Sequence, residues 1–188
     1  MSGPALETRR AFGVLFAGVA AAVFAGAALS ELAFQNNSPT YYYAAIWLGS
    51  FGATFGIAWP RFRKAMPVIR ERMKNSVRWS AGAKALNAVC WAAPFASIAA
   101  FPALYQYLIL LGIGLGNLST YLMMKKYSGL DNREQLIVAG ISLAALPVAL
   151  AIDTSLFTEN QDVAVMLSRM LIALAYGAGG TFALLARE

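Results

Sequence analysis

The pattern of apolar and polar positions divides the chain into six apolar stretches separated by short polar loops. The stretches cover residues 11–34, 41–59, 81–101, 103–124, 136–152 and 163–186. Each is close to the ~20 residues that an α-helix needs to cross the hydrocarbon core of a bilayer. Because a helix satisfies its own backbone groups in lipid, the pattern predicts an all-α polytopic membrane protein with six transmembrane helices.

Composition favours a single membrane domain over residues 1–188. Apolar residues make up 59% of the chain and charged residues 13%, whereas roughly a quarter of a typical soluble domain is charged. Six membrane spans and their loops use almost all of the 188 residues. We therefore expect no separate soluble domain.

The positions of the basic residues predict the orientation of the spans. Apart from Arg169, the 15 Lys and Arg residues fall in alternate loops, at the start of the third stretch (Lys84) or at the two ends of the chain. The intervening loops carry no base, and the last of them carries Asp153, Glu159 and Asp162. Because cytoplasmic loops are enriched in Lys and Arg, this pattern predicts three in-out-in hairpins with both termini in the cytosol. A prokaryotic cytoplasmic membrane is the expected location, since the chain is compact and shows no organelle-targeting segment.

The segment 61–80 is the longest predicted cytosolic loop, and its pattern is amphipathic. Its apolar residues are spaced as on one helix face, and they are Phe62, Met66, Ile69, Met73 and Val77. The basic residues of the segment are Arg61, Arg63, Lys64, Arg70, Arg72, Lys74 and Arg78. The pattern predicts a helix at the cytosolic interface whose bases contact anionic lipid headgroups. The net charge of +6 is therefore interpreted as membrane contact and orientation, and nucleic acid is not an expected partner.

Arg169 is the one basic residue predicted to lie well inside an outer half-span. A charged side chain at this depth is costly, so it is expected to have a partner. Glu31, Asp153 and Asp162 lie at compatible depths in the predicted map. Three interpretations stay open: a buried ion pair that stabilises helix packing, a positively charged lining of an outer vestibule, or snorkelling of the long side chain to the outer surface.

Two amides form a second candidate site. Asn87 in the third stretch and Asn117 in the fourth lie at a similar distance from the cytosolic ends of their predicted spans. They are expected to hydrogen-bond across the helical hairpin, as amide side chains do between membrane helices. The bond could serve packing alone or form part of a substrate contact.

Proline and glycine residues predict further features of the spans. Pro94 and Pro147 lie inside the third and fifth stretches and are expected to kink these helices. Three sets of glycines lie in the even-numbered stretches: Gly49, Gly52 and Gly56; Gly112, Gly114 and Gly116; and Gly177, Gly179 and Gly180. Small residues let membrane helices approach closely, so these sets predict tight packing in the subunit core or at an oligomer interface.

The residue types that are missing limit the possible functions. The chain has no His and a single Cys, Cys90, so the usual ligand sets for haem, zinc, copper and iron–sulfur clusters cannot be assembled. No cofactor, metal site or catalytic residue is predicted. We expect an integral membrane channel or facilitator for a small solute or ion that forms a homo-oligomer. The alternative is a non-catalytic structural subunit of a larger membrane complex.

Overall fold

A computed structural model describes residues 3–39, 41–75, 79–129, 131–157 and 159–186, and this part of the chain is all-helical. It contains seven α-helices: α1 (Gly3–Gln35), α2 (Tyr41–Ile57), α3 (Trp59–Asn75), α4 (Ala81–Ser97), α5 (Tyr105–Ser128), α6 (Arg133–Ala151) and α7 (Gln161–Leu184). A 3₁₀ turn, Pro102–Leu104, precedes α5, and a π-helical turn, Ile152–Leu156, extends α6. The all-α prediction is confirmed.

Four helical segments of the described chain are long and apolar enough to cross a membrane. They are Leu6–Gln35, Pro102–Ser128, Arg133–Leu156 and Asp162–Leu184. The remaining apolar helices, α2 and α4, have 17 residues each. At ~1.5 Å per residue they are about 26 Å long, slightly shorter than the ~30 Å hydrocarbon core. The structure thus supports a membrane protein, and the number of six spans stays a prediction.

Helices α1 and α7 pack antiparallel in close contact. Gly13 lies beside Leu184, and Gly177 lies beside Ala20. The beginning of α1 and the end of α7 therefore lie at the same end of the bundle, which we call the lower end. The opposite end, where α1 finishes at Gln35, is the upper end.

Glycine also sets the contacts between other neighbouring helices. The pairs are Gly26 of α1 with Trp47 of α2, Gly116 of α5 with Trp91 of α4, and Gly114 of α5 with Leu143 of α6. Each pair is consistent with antiparallel packing of successive helices. Helix α4 packs against α5, and α2 packs against α1 and α3, so both lie at the periphery of the bundle.

The glycines of α2 differ from those of the inner helices. A Cβ atom at Gly49, Gly52 or Gly56 would meet nothing within 4 Å, so this set does not pack inside the subunit. The glycines of α5 face large side chains of α4 and α6, as the predicted close packing requires. For α2, the subunit-core interpretation is wrong, and the oligomer-interface interpretation stays a prediction.

Helix α3 confirms the helical pattern of the basic segment but packs partly on the protein itself. Phe62 and Ile69 are buried, and the Phe62 ring occupies the space beside Gly18 of α1. Met66, predicted on the same stripe, is 47% exposed. The bases Arg61, Arg63, Lys64, Arg70 and Lys74 are exposed. Val77 and Arg78 lie outside the described residues, as do the side chains of Arg72 and Met73.

Both predicted kink positions lie inside continuous helices. Pro94 is within α4 and Pro147 is within α6. Because proline lacks an N–H group, the carbonyl oxygens of Cys90 and Leu143 lose their helical partners. The kinks themselves stay a prediction.

Candidate functional site

A cavity of about 430 Å³ lies in the lower half of the bundle. Its wall consists of Phe12, Leu15, Phe16 and Val19 of α1; Trp79, Asn87 and Trp91 of α4 and the segment before it; Asn117, Thr120 and Met124 of α5; Gln135 of α6; and Tyr176 of α7. Sites for small molecules typically have volumes of about 300–1,000 Å³. None of these lining residues is charged. The cavity therefore has the size and apolar character of a small-molecule site.

Aromatic rings form much of the cavity wall. The ring centroids of Phe16 and Tyr176 lie 5.4 Å apart in an edge-to-face arrangement, and Phe12 lies 6.1 Å from Phe16 in a similar geometry. These arrangements are the preferred ones for aromatic pairs. The rings of α1 and α7 thus pack against each other and form one side of the cavity.

Trp91 of α4 is held in the wall by the residues of α5. A Cβ atom at Gly116 would overlap the Trp91 ring, so the position of this indole depends on glycine. The indole Nε1 also donates a hydrogen bond to Thr120 Oγ1 at 3.1 Å. Gly116 therefore permits both the close α4–α5 contact and the orientation of Trp91.

Hydrogen bonds determine how the Asn87 amide is oriented. The hydroxyls of Ser119 and Thr120 both donate to the carbonyl oxygen of Gly116, at 3.0 and 2.7 Å. Because each hydroxyl has donated its only proton, both oxygens accept hydrogen bonds from Asn87 Nδ2, at 2.9 Å each. Asn87 must therefore direct its NH₂ group at these hydroxyls. Its amide oxygen has no hydrogen-bond partner among the described residues.

Asn117 is oriented by its own helix. Its Nδ2 donates to the carbonyl oxygen of Ile113 at 2.9 Å, and the side chain is buried. The direct Asn87–Asn117 bond expected from the sequence is not formed, because each NH₂ group has another acceptor. The two amides nevertheless line the same cavity, and the Asn117 side chain also interacts with the Tyr176 hydroxyl.

Two further lining residues carry buried polar atoms without hydrogen-bond partners. They are the indole Nε1 of Trp79 and the Oε1 of Gln135, and both residues are more than nine-tenths buried. An unsatisfied buried polar group costs about 1–3 kcal/mol. The cavity is therefore bordered by a donor and by acceptors whose bonding capacity is unused. The sequence suggests an interfacial position for Trp79, as for other Trp residues near the ends of spans, and a helical Gln such as Gln135 carries no specific signal.

An ion pair lies at the lower end of the bundle. Arg9 Nε and Glu134 Oε2 are 3.5 Å apart, and Arg9 Cζ lies 4.4 Å from the centroid of the Phe182 ring. Glu134 directly precedes Gln135 of the cavity wall. The sequence places Glu134 in a first helical turn, where exposed acids are common, so it gave no sign of a buried pair.

The loop before α6 carries a second, exposed ion pair. Arg133 Nε donates to Asp131 Oδ2 at 2.6 Å, and the Tyr121 hydroxyl donates to Asp131 Oδ1 at 3.0 Å. The bond from Arg133, followed by that from Tyr121, lowers the pKa of the Asp131 carboxyl below its ordinary value. Asp131 therefore stays ionised at neutral pH, and its bonds to Tyr121 of α5 and Arg133 of α6 connect the two helices.

Arg169 at the upper end contacts aromatic residues. Its Nη2 donates to the Tyr105 hydroxyl at 3.1 Å, and its Cζ lies 5.7 Å from the ring centroids of both Tyr105 and Trp47. The ion pairs in the described part of the chain are Arg9–Glu134 and Arg133–Asp131, so the acidic partner expected for Arg169 is not found there. A hydrogen bond and two π-faces take the place of the carboxylate.

The three acids proposed for the upper site are held separately. Glu31 is buried and accepts from Gln35 Nε2 at 2.9 Å. Asp153 accepts from the Tyr107 hydroxyl, and from Gln106 Nε2 at 3.3 Å. Asp162 lies in the first turn of α7 and is partly exposed. The structure therefore joins Asp153 to α5 and does not gather these acids around Arg169.

The described residues contain no group of three or more His, Cys, Asp or Glu side chains that could hold a metal ion. Comparisons with models of protein families, with curated proteins and with solved structures found no match to this chain. The assignment of a function therefore depends on the cavity and on the residues around it.

Proposed function

We propose that this protein is an integral membrane facilitator for a small uncharged solute, which binds in the cavity of the lower half. The observation that supports this most directly is a ligand-sized cavity in an apolar helical bundle, with the amide oxygen of Asn87 left without a partner. Polar groups are costly within the membrane and usually mark functional sites. An uncharged solute is favoured over an ion because the described cavity wall has no charged side chain.

Six membrane crossings with alternating directions agree with this function. Four segments meet the length and hydropathy that a span requires. Helix α2 has no charged residue, and α4 has Lys84 alone, so both suit a thin or locally compressed bilayer. Antiparallel packing then gives three in-out-in hairpins. The lower end, which carries the basic residues, faces the cytosol by the positive-inside rule, and the host is a prokaryotic cytoplasmic membrane.

Transport through this bundle requires movement at the upper end. Leu110 of α5, which lies between the cavity residues of this helix and its upper end, is fully buried in the apolar core. Nearer the upper end, Asp153 joins the π-helical turn to Gln106 and Tyr107 of α5. Such turns are frequent at functional sites. In the proposed cycle, separation of these contacts opens a path from the cavity to the upper face.

A second function, as a non-catalytic structural subunit of a larger membrane complex, is favoured by α2. Its open glycine face, formed by Gly49, Gly52 and Gly56, lacks a partner inside the described subunit. Small residues of this kind commonly receive another helix. A second copy of this chain would give a homo-oligomeric facilitator, whereas a different membrane protein would make this chain a subunit.

Flux into liposomes tests the facilitator. Proteoliposomes would be compared with protein-free liposomes for entry of urea, glycerol and radiolabelled nicotinamide. We expect at least one solute to enter several-fold faster with the protein. Leu15→Trp, which fills the cavity from α1, should abolish the difference. Leu29→Trp, on the exposed face of the same helix, should preserve it.

Equal entry of all three solutes with and without protein would exclude the facilitator. Native mass spectrometry of protein extracted from its own membrane then examines the alternative. Other polypeptides at fixed stoichiometry would support a subunit role, and a homo-oligomer would argue against it.

A further inference from the structure

We infer that the cavity binds a flat, uncharged aromatic compound with an N–H donor and a neighbouring carbonyl group, that is, an aromatic carboxamide or a close heteroaromatic equivalent. This inference rests on the proposed facilitator function and specifies its solute. It draws on the shape, the hydrogen-bonding groups and the charge of the cavity wall, each of which restricts the ligand independently.

The wall favours a flat aromatic surface. Five of the lining side chains are aromatic: Phe12, Phe16, Trp79, Trp91 and Tyr176. Rings pack best in offset-stacked or edge-to-face contacts with other rings. The volume of about 430 Å³ accommodates a one- or two-ring compound. A long acyl chain would not use this arrangement of rings.

The orientation of the two asparagines requires a ligand that donates hydrogen bonds. Asn87 has committed its NH₂ group to Ser119 and Thr120, and Asn117 has committed an N–H to Ile113. Neither amide can be reversed without losing these bonds, because the acceptors have no proton left to offer. Asn117 also interacts with Tyr176, so Asn87 supplies the amide oxygen without a partner, which accepts and cannot donate. An N–H group of the ligand satisfies it.

Trp79 requires an acceptor in the same ligand. Its indole N–H is buried and has no partner, and an indole can only donate. The indole nitrogen is covered by neighbouring side chains, so the inference requires the Trp79 side chain to rotate when the ligand binds. A carboxamide carries an N–H donor and a carbonyl acceptor on adjacent atoms, and it matches both requirements at once.

The charges around the cavity exclude ionised ligands. A carboxylate would face amide oxygens and would have no basic side chain in the wall. A protonated amine would lack a carboxylate there, since Glu134 is paired with Arg9. It would also approach the lower end, where Lys84, Lys125 and Lys126 concentrate positive charge. An uncharged ligand avoids both costs.

Calorimetric titration of the full protein in lipid nanodiscs tests the inference with three matched probes. Nicotinamide has the N–H donors, N,N-dimethylnicotinamide lacks them, and nicotinate carries a negative charge. We expect saturable binding of nicotinamide, with binding of the other two weaker by about tenfold to a hundredfold, as for loss of a buried hydrogen bond. Equal binding of the three probes, or no binding of nicotinamide, would overturn the inference.

Two variants connect the selectivity to the cavity. Asn87→Leu removes the amide oxygen at similar volume, so it should weaken nicotinamide binding and reduce its advantage over the dimethyl compound. Asn36→Leu, in the turn at the upper end, should leave both affinities unchanged. Gel filtration and thermal unfolding would confirm that each variant folds. Unchanged selectivity in a folded Asn87→Leu protein would contradict the assigned site.

The outcome separates this inference from the proposed function. Entry of urea or glycerol without binding of nicotinamide would contradict the ligand class and leave the facilitator standing. Selective binding of nicotinamide without entry of any solute would support the site and contradict facilitation.

Discussion

The guanidinium of Arg9 and the carboxylate of Glu134 lie 3.5 Å apart and connect α1 to α6 at the lower end of the bundle. Glu134 is 2% exposed, and Arg9 also covers the Phe182 ring of α7. Three helices therefore meet at this pair, immediately below the cavity. Its location makes the pair a determinant of the relative positions of the helices that form the cavity wall.

We predict that removing one charge of this pair destabilises the protein more than removing both charges. Arg9→Met or Glu134→Leu alone removes one charge of the pair while the other stays buried, and should cost about 3–5 kcal/mol. The double variant removes both charges and should recover a large part of the loss. Thermal unfolding of the four proteins in the same detergent measures the coupling. Additive losses in the double variant would show that the two charges act independently.

The contact between α1 and α7 predicts opposite effects for two glycines of the same helix. A Cβ at Gly180 would lie 2.9 Å from the backbone nitrogen of Ala17, whereas a Cβ at Gly177 would lie 3.7 Å from Ala20 Cβ. Gly180→Ala should therefore cost about 1–3 kcal/mol through overpacking. Gly177→Ala fits in ordinary contact and should be neutral or stabilising by up to about 1 kcal/mol. Unfolding temperatures of the two variants test this difference, and equal values would contradict it.

The open face of α2 predicts that a substitution there changes the oligomeric state without changing the fold of the subunit. Gly52→Leu places a side chain in open space, so the fold should be unaffected, and the oligomer should dissociate if this face joins two copies. Gly140→Leu, at an equally open glycine of α6, is the matched control. Native mass spectrometry gives the number of copies in each case. An unchanged oligomer in Gly52→Leu would place the interface elsewhere.

The aromatic environment of Arg169 predicts a role in stability. Arg169→Ala loses the bond to Tyr105 and the contacts with two rings, and it should cost about 1–3 kcal/mol in this partly buried setting. Tyr105→Phe should cost less, because the ring remains. A double-mutant cycle based on thermal unfolding measures their coupling. A normal unfolding temperature combined with altered solute flux would instead favour the vestibule interpretation.

Much of the helical organisation could be predicted from local sequence. The apolar stretch at 41–59 corresponds to α2 (Tyr41–Ile57), and the stretch at 163–186 corresponds to α7 (Gln161–Leu184). These agreements arise because the length of an apolar run and the polar residues that interrupt it are local properties. The first helix differs, since α1 starts at Gly3 and places Arg9 inside a helix rather than in a flanking loop.

The sequence by itself determined that the chain is helical, that it suits a membrane, and roughly how deep each polar residue lies along its helix. Asn87 and Asn117 were expected at one depth, and they line one cavity. Only the tertiary structure decided the partners: Ser119 and Thr120 for Asn87, and aromatic rings for Arg169. Depth follows from a constant rise per residue. The rotation of a helix about its axis depends on which of its small residues pack against large residues of the neighbouring helices. A helix that is apolar on all sides has no sequence pattern that indicates this rotation.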